Sequence, residues 1–233
     1  MKVNKITDLI ENFAPLELQD GWDNCGFQVD LGERDIKKVL LCVSITQDIV
    51  NQAVEKKFDM IISHHPLFFV PFSFNKNIPI YSAHTNLDKT KGGTTDTIIE
   101  ILGFSKRQEV GVFTRLVELK EEILLDDFVK LIKVKLNIEV LRAVNNLNKK
   151  TIKRVAFCAG SGADLLWEAE KAQADVFVTG DVKYHQALES NVIIIDVGHF
   201  ESERPILKKI KKILEPLNLE VMKADEKSPF INY

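Results

Sequence analysis

The sequence of 233 residues contains only three cysteines, and their spacing fits neither a disulfide framework nor a zinc site. Cys25, Cys42 and Cys158 are an odd number of thiols without a Cys-x-x-Cys pair, which argues against structural disulfides and thiolate-bound zinc. Cys42 and Cys158 lie within apolar runs. We therefore predict that both are buried as small hydrophobic residues.

Long hydrophobic segments are also absent. The longest apolar runs, Val39–Val43 and Asn191–Val197, fall far short of the roughly 20 residues that a membrane helix requires, and the first residues lead into no signal-like apolar core. The net charge is −3, so the protein as a whole does not attract nucleic acid or an anionic membrane. We expect a soluble cytoplasmic protein without a membrane or nucleic-acid partner.

The hydrophobic pattern predicts an α/β fold with two similar halves, each containing a β-α-β unit. In the first unit the predicted strand, helix and strand are Lys37–Ile45, Asp48–Lys57 and Asp59–Ser63, with Thr46 or Asp48 as the helix cap. In the second unit they are Arg154–Ala159, Asp164–Ala172 and Asp175–Thr179.

The two units align without a gap at an offset of 116 residues. The identical pairs are Val39/Val155, Cys42/Cys158, Asp48/Asp164, Ala53/Ala169 and Asp59/Asp175. At an offset of 115, His84–Asp88 faces His199–Glu203, so each half has a histidine followed four residues later by an acid. We interpret the pattern as an ancient duplication. The alternative is that two β-α-β units resemble each other because the architecture demands it.

The domain prediction assigns residues 1–105 and 200–233 to a first α/β domain and residues 106–199 to a second. Helices are predicted at Met1–Phe13 and Pro205–Leu214 in the first domain. In the second domain, Gly111–Leu119 alternates like an edge strand, Asp126–Leu136 has helical periodicity and Ile138–Val144 resembles a strand. These three segments predict a β-α-β insert.

The chain has five histidines, and all of them lie at or just beyond the end of a predicted apolar strand. They are His64, His65, His84, His185 and His199. In open α/β sheets, ligands bind outside the carboxyl ends of the strands, where residues from distant sequence positions converge. A single histidine at such a place is more often structural, but five together favour a functional site.

Several of these histidines are accompanied by acids, as in a metal site. His64 and His65 are neighbours, and in an extended chain their side chains point to opposite sides, so we expect each to bind one of two adjacent ions. His199 and Glu203 share one face if a helix starts there, and Asp88 supplies a further acid. The predicted ligands are His64, His65, Asp88, His199 and Glu203, a nitrogen and oxygen set that suits two divalent ions of Zn, Fe, Mn, Co or Ni.

Other residues near these positions have alternative interpretations. Asp181 and His185 follow a predicted strand and are candidates for catalytic proton transfer or for orienting a metal-bound imidazole, or they make structural hydrogen bonds. Trp22 and Asn24 either line a substrate pocket, with Trp22 stacking on a base, or belong to the core and to a turn.

Five ordered blocks of the sequence resemble the GTP cyclohydrolase 1 type 2 homologue family, also called the Nif-three-like family. The blocks are Gly21–Val29, Ser63–Leu67, Ala83–Asp88, Thr179–His185 and Gly198–Glu203. The chain is similar to the short form, which lacks the extra middle domain of longer members. The resemblance implies two α/β domains with a dinuclear metal site in the cleft between them, and a ring of six subunits. It assigns the metal to His64, His65, Asp88, His199 and Glu203.

We therefore expect a dinuclear metal-dependent hydrolase in which metal-activated water attacks a GTP-like or phosphoester substrate. The expected partners are a small molecule of the nucleotide type and other copies of this chain. The alternatives from other classes are a non-catalytic metal chaperone, for example for iron, and a metal-dependent regulatory or nucleic-acid-binding protein.

Overall fold

The computed structural model describes residues 1–67 and 77–231, and the chain divides into two compact units. Unit 1 comprises Met1–Gly93 and Ile206–Lys227, and unit 2 comprises Thr94–Pro205 and Ser228–Tyr233. Each unit contains helices and one sheet. This confirms the predicted α/β class with two similar halves.

The helices of unit 1 are α1 (Val3–Phe13), α2 (Gln47–Glu55), α3 (Thr85–Lys89) and, later in the chain, α9 (Ile206–Leu214). Its strands are β1 (Gly26–Val29), β2 (Lys38–Cys42), β3 (Met60–Ser63), β4 (Ile80–Ser82) and, later in the chain, β11 (Glu220–Lys223). The sequence pattern does not predict β1, β4 or β11, which are only three or four residues long.

The sheet of unit 1 has the strand order β1-β4-β3-β2-β11, in which β1 is antiparallel to β4 and the other neighbours are parallel. All residues of β3 are buried, as expected for a strand covered on both faces. Helix α2 begins after Thr46, whose side-chain oxygen accepts a hydrogen bond from the Ile49 N–H at 3.3 Å. The cap is therefore Thr46 rather than Asp48.

The helices of unit 2 are α4 (Thr94–Ile101), α5 (Leu125–Leu136), α6 (Leu166–Lys171), α7 (Tyr184–Glu189) and α8 (His199–Glu203). Its strands are β5 (Gln108–Glu109), β6 (Arg115–Leu124), β7 (Arg142–Val144), β8 (Thr151–Phe157), β9 (Val176–Thr179) and β10 (Ile193–Asp196). Their order in the sheet is β5-β6-β8-β9-β10-β7, and β8, β9 and β10 are parallel.

The segment predicted as a β-α-β insert joins this sheet at two places. Strand β6 is antiparallel to β8, and β7 is antiparallel to β10, so the two strands flank the parallel core from opposite sides. The prediction of an edge strand at Gly111–Leu119 is wrong, because β6 lies between β5 and β8. In the first half of β6, Arg115–Val117 and Leu119 are buried and only Glu118 is exposed.

The boundaries of the two units differ from the predicted domain boundaries. Helix α4 groups with unit 2, since Ile98 and Ile99 pack in the same core as Val155 and Phe157 of β8. Helix α8 packs on α4 and belongs to the same unit, and so does the terminal segment after Lys227. Periodicity alone does not reveal which core a short helix joins.

Two other sequence expectations concern burial and membranes. Cys42 and Cys158 are 0% and 4% exposed, which confirms that they are buried. In the described parts of the chain, every helix is too short or too polar to cross a membrane.

Candidate metal centre

Three histidines of unit 1 turn their rings toward one another at the carboxyl ends of parallel strands. His64 and His65 follow β3, and His84 follows β4. One ligand nitrogen from each ring lies within 4.8 Å of the other two. The ring centroids are 5.1 to 5.3 Å apart. Such a cluster of imidazole nitrogens has the spacing needed to bind one divalent ion.

The expectation that the His64 and His65 side chains point to opposite sides is wrong, because a ligand nitrogen of one ring lies within 4.8 Å of a ligand nitrogen of the other. That each ring binds a different ion stays a prediction. Alternation holds only within an extended strand, and β3 ends at Ser63. The next two residues bend away from the strand while their N–H groups still bond the carbonyls of Cys42 and Val43.

The His64 ring is oriented by a backbone carbonyl. Its Nδ1 lies 2.9 Å from the carbonyl oxygen of Ala83, and since a carbonyl only accepts hydrogen bonds, Nδ1 carries the proton. Nε2 is then the ring's electron-pair donor. It lies 3.6 Å from Oδ1 of Asp88, so the predicted acid stands beside the predicted imidazole.

His84 was not among the predicted ligands, and it is oriented by Asp23. Its Nδ1 lies 3.0 Å from Oδ1 of Asp23. Burial raises the pKa of Asp23, but hydrogen bonds from Thr85, His84 and Cys25 outweigh this and hold the pKa well below its ordinary value. Burial and the neighbouring His64 lower the pKa of His84. A neutral ring that donates Nδ1–H to a carboxylate presents Nε2 to a metal.

Trp22 and Asn24 flank this group on the surface. Trp22 is 65% exposed, which excludes the core interpretation, and its ring meets that of His84 edge-on at 6.0 Å between centroids. The Asn24 amide donates to the side chain of Gln28 at 3.1 Å. Trp22 thus offers an exposed aromatic face next to the histidine cluster.

In unit 2, His199 and Glu203 form a second pair of candidate ligands. Helix α8 places them one turn apart, with Nε2 of His199 at 3.0 Å from Oε2 of Glu203. The Glu203 carboxylate is 5% exposed. The predicted helical start at these residues is therefore confirmed.

Asp181 orients His199 as Asp23 orients His84. Oδ2 of Asp181 lies 2.7 Å from Nδ1 of His199. Burial lowers the pKa of His199, but the hydrogen bond and charge of Glu203, together with those of Asp181, outweigh it and raise the pKa to about 9. In the absence of metal the ring is a cation between two carboxylates, so a metal at Nε2 must displace a proton.

Gly160 leaves the space that the Glu203 carboxylate occupies. A Cβ atom at this glycine would lie 2.2 Å from Oε1 of Glu203 and 3.6 Å from Nε2 of His199. The backbone here has a φ of +66°, which also favours glycine. The Gly160 N–H donates to Oγ of Ser202 at 2.8 Å, which fixes this glycine against α8.

His185, the other predicted catalytic residue, lies apart from this pair. It is exposed on α7, and its ring meets that of Tyr184 at 5.5 Å between centroids. Among the described residues, no hydrogen bond or ion pair joins it to Asp181 or His199. The geometry thus supports an orienting role for Asp181, whereas the role of His185 stays a prediction.

The donor atoms fit divalent transition-metal ions. Unit 1 supplies three imidazoles and Asp88, and unit 2 supplies an imidazole and a carboxylate, a set without thiolates that suits such ions better than Mg²⁺ or Ca²⁺. The repeat could have identified His84, because the alignment places it opposite His199. That the ligands of both units form one dinuclear centre stays a prediction.

The chain is similar to proteins of known family over nearly its whole length. The model of the family Duf34/NIF3 (NGG1p interacting factor 3) matches residues 1–229. The chain is 38% identical to a protein of Clostridium perfringens named "GTP cyclohydrolase 1 type 2 homolog", over 99% of both chains. It is 32% identical to the "GTP cyclohydrolase 1 type 2" of Helicobacter pylori strain J99, over 97% of both chains.

A solved structure shows the same fold. The crystal structure of a Bacillus cereus protein related to NIF3 superimposes with a TM-score of 0.88 at 20% identity and covers 100% of this chain and 99% of its own. The family resemblance of the five sequence blocks is thereby confirmed. The chain belongs to the Duf34/NIF3 (NGG1p interacting factor 3) family.

Proposed function

We propose that this protein is a metal-dependent hydrolase that acts on a GTP-like or phosphoester substrate. The observation that carries the proposal is the cluster of His64, His65 and His84, whose ligand nitrogens lie within 4.8 Å of one another. Two of these rings have Nδ1 held by an acceptor, which leaves Nε2 of each ring as the electron-pair donor for a metal.

Each residue of unit 1 has a role that follows from its contacts. His64, His65 and His84 bind a divalent ion, and Asp88 offsets its charge. Asp23 holds the proton of His84 at Nδ1, which keeps Nε2 available as the donor atom. A divalent ion held there supplies Lewis-acid chemistry and lowers the pKa of water toward neutrality.

The residues of unit 2 complete the proposed ligand set. His199 and Glu203 are the ligands, and Asp181 fixes the His199 ring through Nδ1. His185 is exposed on α7 and is proposed to exchange protons with solvent during turnover. Two divalent transition-metal ions per chain is the expected stoichiometry.

GTP is the first substrate to test. The relative from Helicobacter pylori is named as a GTP cyclohydrolase 1 type 2, and the exposed Trp22 ring beside His84 is suited to stack on a base. In this reaction one water opens the imidazole ring of guanine to a formamide, and a second water hydrolyses the formamide, so that the ring carbon leaves as formate.

The first experiment measures the metal-to-protein ratio by elemental mass spectrometry on protein purified without a tag or chelator. We expect a ratio near two that falls in Glu203→Ala. The second compares formate release from GTP between wild type and the His64→Ala/His65→Ala variant. A ratio near zero after addition of Zn²⁺, Fe²⁺ or Mn²⁺ contradicts metal binding. Bound metal without turnover of GTP or phosphoesters contradicts the hydrolase and supports a metal chaperone.

We also propose that the protein assembles as a homo-oligomer, with a ring of six subunits as the expected form. Large exposed apolar side chains on unit 2 support self-association: Trp167, Tyr184 and Leu188 are 56%, 74% and 60% exposed. Light scattering during size-exclusion chromatography measures the mass. A monomer at every concentration contradicts this proposal.

A further inference from the structure

Glu226 stands close to the histidine cluster without belonging to it. It lies after β11, in the last segment of unit 1, whereas the loop it contacts follows β2. Its two carboxylate oxygens accept the N–H groups of Val43 and Ser44, each at 2.7 Å. Two charge-assisted bonds to successive backbone groups hold this loop firmly.

The same loop holds His65 at two points. The carbonyl of Val43 accepts the His65 backbone N–H at 2.8 Å, and Oγ of Ser44 lies 2.9 Å from Nδ1 of the His65 ring. When Nε2 of His65 binds a metal, Nδ1 carries the proton and donates a hydrogen bond to the Ser44 hydroxyl oxygen. The position of Ser44 therefore helps to set the orientation of the His65 ring.

The segment that carries Glu226 is itself anchored. The Ala224 N–H donates to the carbonyl of Leu41 at 2.8 Å, which continues the pairing of β11 with β2. The backbone of Asp225 and the side-chain amide of Gln52 exchange two hydrogen bonds, at 2.9 and 3.0 Å. These contacts fix the position of the carboxylate, so the chain of contacts from Glu226 to His65 is rigid.

We infer that Glu226 is a positioning residue for His65, acting through Val43 and Ser44. Its carboxylate accepts the backbone N–H groups of Val43 and Ser44, and its effect on the ring orientation passes through the Ser44 hydroxyl. The inference rests on the proposed function insofar as His65 is a metal ligand. It adds a residue more than 160 positions away in the sequence to the machinery of that site.

The test compares Glu226→Gln with Asp225→Asn in the full-length protein. Both substitutions remove one negative charge from the same segment, but Asp225 is exposed and makes its contacts through its backbone. In Glu226→Gln, the side-chain NH₂ group faces the N–H group of Val43 or of Ser44. Because two donors cannot bond each other, one of the two hydrogen bonds to the loop is lost. We expect Co²⁺ affinity, measured by absorption titration, to fall roughly 10-fold or more in Glu226→Gln, as for other residues that orient metal ligands. Asp225→Asn should match wild type.

A double variant separates positioning from general destabilisation. If Glu226 acts through Ser44, then Glu226→Gln/Ser44→Ala binds Co²⁺ no more weakly than Ser44→Ala alone. Additive losses, or an unchanged affinity of Glu226→Gln, overturn the inference. Circular dichroism verifies that each variant is folded, and Glu226→Asp, which shortens the side chain by one methylene, replaces Glu226→Gln if that variant is unfolded.

Nuclear magnetic resonance of the metal-free protein tests, independently of metal binding, whether Glu226 positions the His65 ring. Long-range ¹H–¹⁵N spectra of labelled histidine report the tautomer and hydrogen bonding of His65. We expect the Nδ1 signal of His65 to shift in Glu226→Gln and to stay unchanged in Asp225→Asn. An unchanged signal in Glu226→Gln overturns the inference. If wild type binds no Co²⁺ but the signal shifts, the proposed function fails and the positioning of His65 stands.

Discussion

Asp59 and Asp175 make the same set of backbone hydrogen bonds in the two units. Oδ2 of Asp59 accepts the N–H groups of Lys37 and Lys38 at 2.8 and 2.9 Å. Oδ2 of Asp175 accepts those of Lys153 and Arg154 at 2.7 and 2.8 Å. Asp59 thus ties the start of β3 to the start of β2, and Asp175 ties the start of β9 to the part of β8 where their parallel pairing begins. The identity of this pair in the sequence repeat has a structural cause.

This relationship predicts that Asp175→Asn destabilises the protein. Burial raises the pKa of Asp175, but hydrogen bonds from Lys149 and from the Arg154 and Lys153 N–H groups outweigh it and lower the pKa. Loss of the charge should lower the free energy of unfolding by about 1–2 kcal/mol at pH 7. Urea denaturation followed by circular dichroism measures the difference.

The difference in the free energy of unfolding between wild type and Asp175→Asn should become smaller as the pH falls. A carboxylate whose pKa is lowered by folding stabilises the protein above its unfolded pKa, near 4 for aspartate. This contribution disappears as the pH falls through the folded pKa. Wild type and Asp175→Asn should therefore converge in acid. Asp8→Asn, at an exposed position of α1, is the control with no expected loss. Equal stability of Asp175→Asn and Asp8→Asn at pH 7 contradicts the prediction.

The repeat made much of the fold predictable from the sequence. It aligns β2, α2 and β3 of unit 1 with β8, α6 and β9 of unit 2, and the two helices end in the same way. Lys57 and Gln173, which are 116 positions apart, have positive φ angles of 55° and 53°. The next residue in each unit donates its N–H back to the helix. Hydrophobic periodicity captures such elements because they span more than one turn or several strand residues.

The parts that the sequence did not predict depend on tertiary contacts. The course of the chain after β3 follows hydrogen bonds to Cys42 and Val43, which no local pattern encodes. The orientation of His84 depends on Asp23, a residue 61 positions earlier. The places of β6 and β7 on opposite sides of the parallel core follow from pairing with β8 and β10. Periodicity identifies an element but not its neighbours.

The histidine cluster predicts that His84 matters for metal binding as much as His64. His84→Ala removes one of three grouped ligand nitrogens, so the metal-to-protein ratio should fall as it does in His64→Ala. His185→Ala is the matched control, because this histidine is exposed on α7 and lies in no ligand group of the described residues. Elemental mass spectrometry gives the ratio. Full metal content in His84→Ala excludes His84 as a ligand.

The contacts of His199 predict an unusual titration in the metal-free protein. Although burial opposes its charge, Glu203 and Asp181 raise the pKa to about 9. Histidine ring signals followed by nuclear magnetic resonance should show this value in wild type and a lower one in Glu203→Gln and in Asp181→Asn. A pKa near the ordinary value of about 6.5 in wild type would exclude the charged pair.

The sign of the effect on stability follows from the raised pKa. The ion pair stabilises the fold fully below the ordinary histidine pKa and is lost as the pH rises through about 9. Glu203→Gln should therefore cost more stability at pH 6 than at pH 10. Urea denaturation at the two values checks this, and an equal loss at both contradicts the role of the histidine charge.

The space beside Gly160 predicts that Gly160→Ala impairs metal binding more than it impairs folding. The new methyl group would overlap Oε1 of Glu203, so the carboxylate must move away from His199. Gly103→Ala is the matched control, because Gly103 has a φ of +94° but no atom of the described residues, apart from its chain neighbours, lies within 4 Å of the added Cβ. Both variants should lose about 1 kcal/mol of stability from the strained backbone. Only Gly160→Ala should lose metal, as measured by elemental mass spectrometry. If both variants retain the same metal content, the position of the Glu203 carboxylate is not needed for binding, and Glu203 is not a ligand.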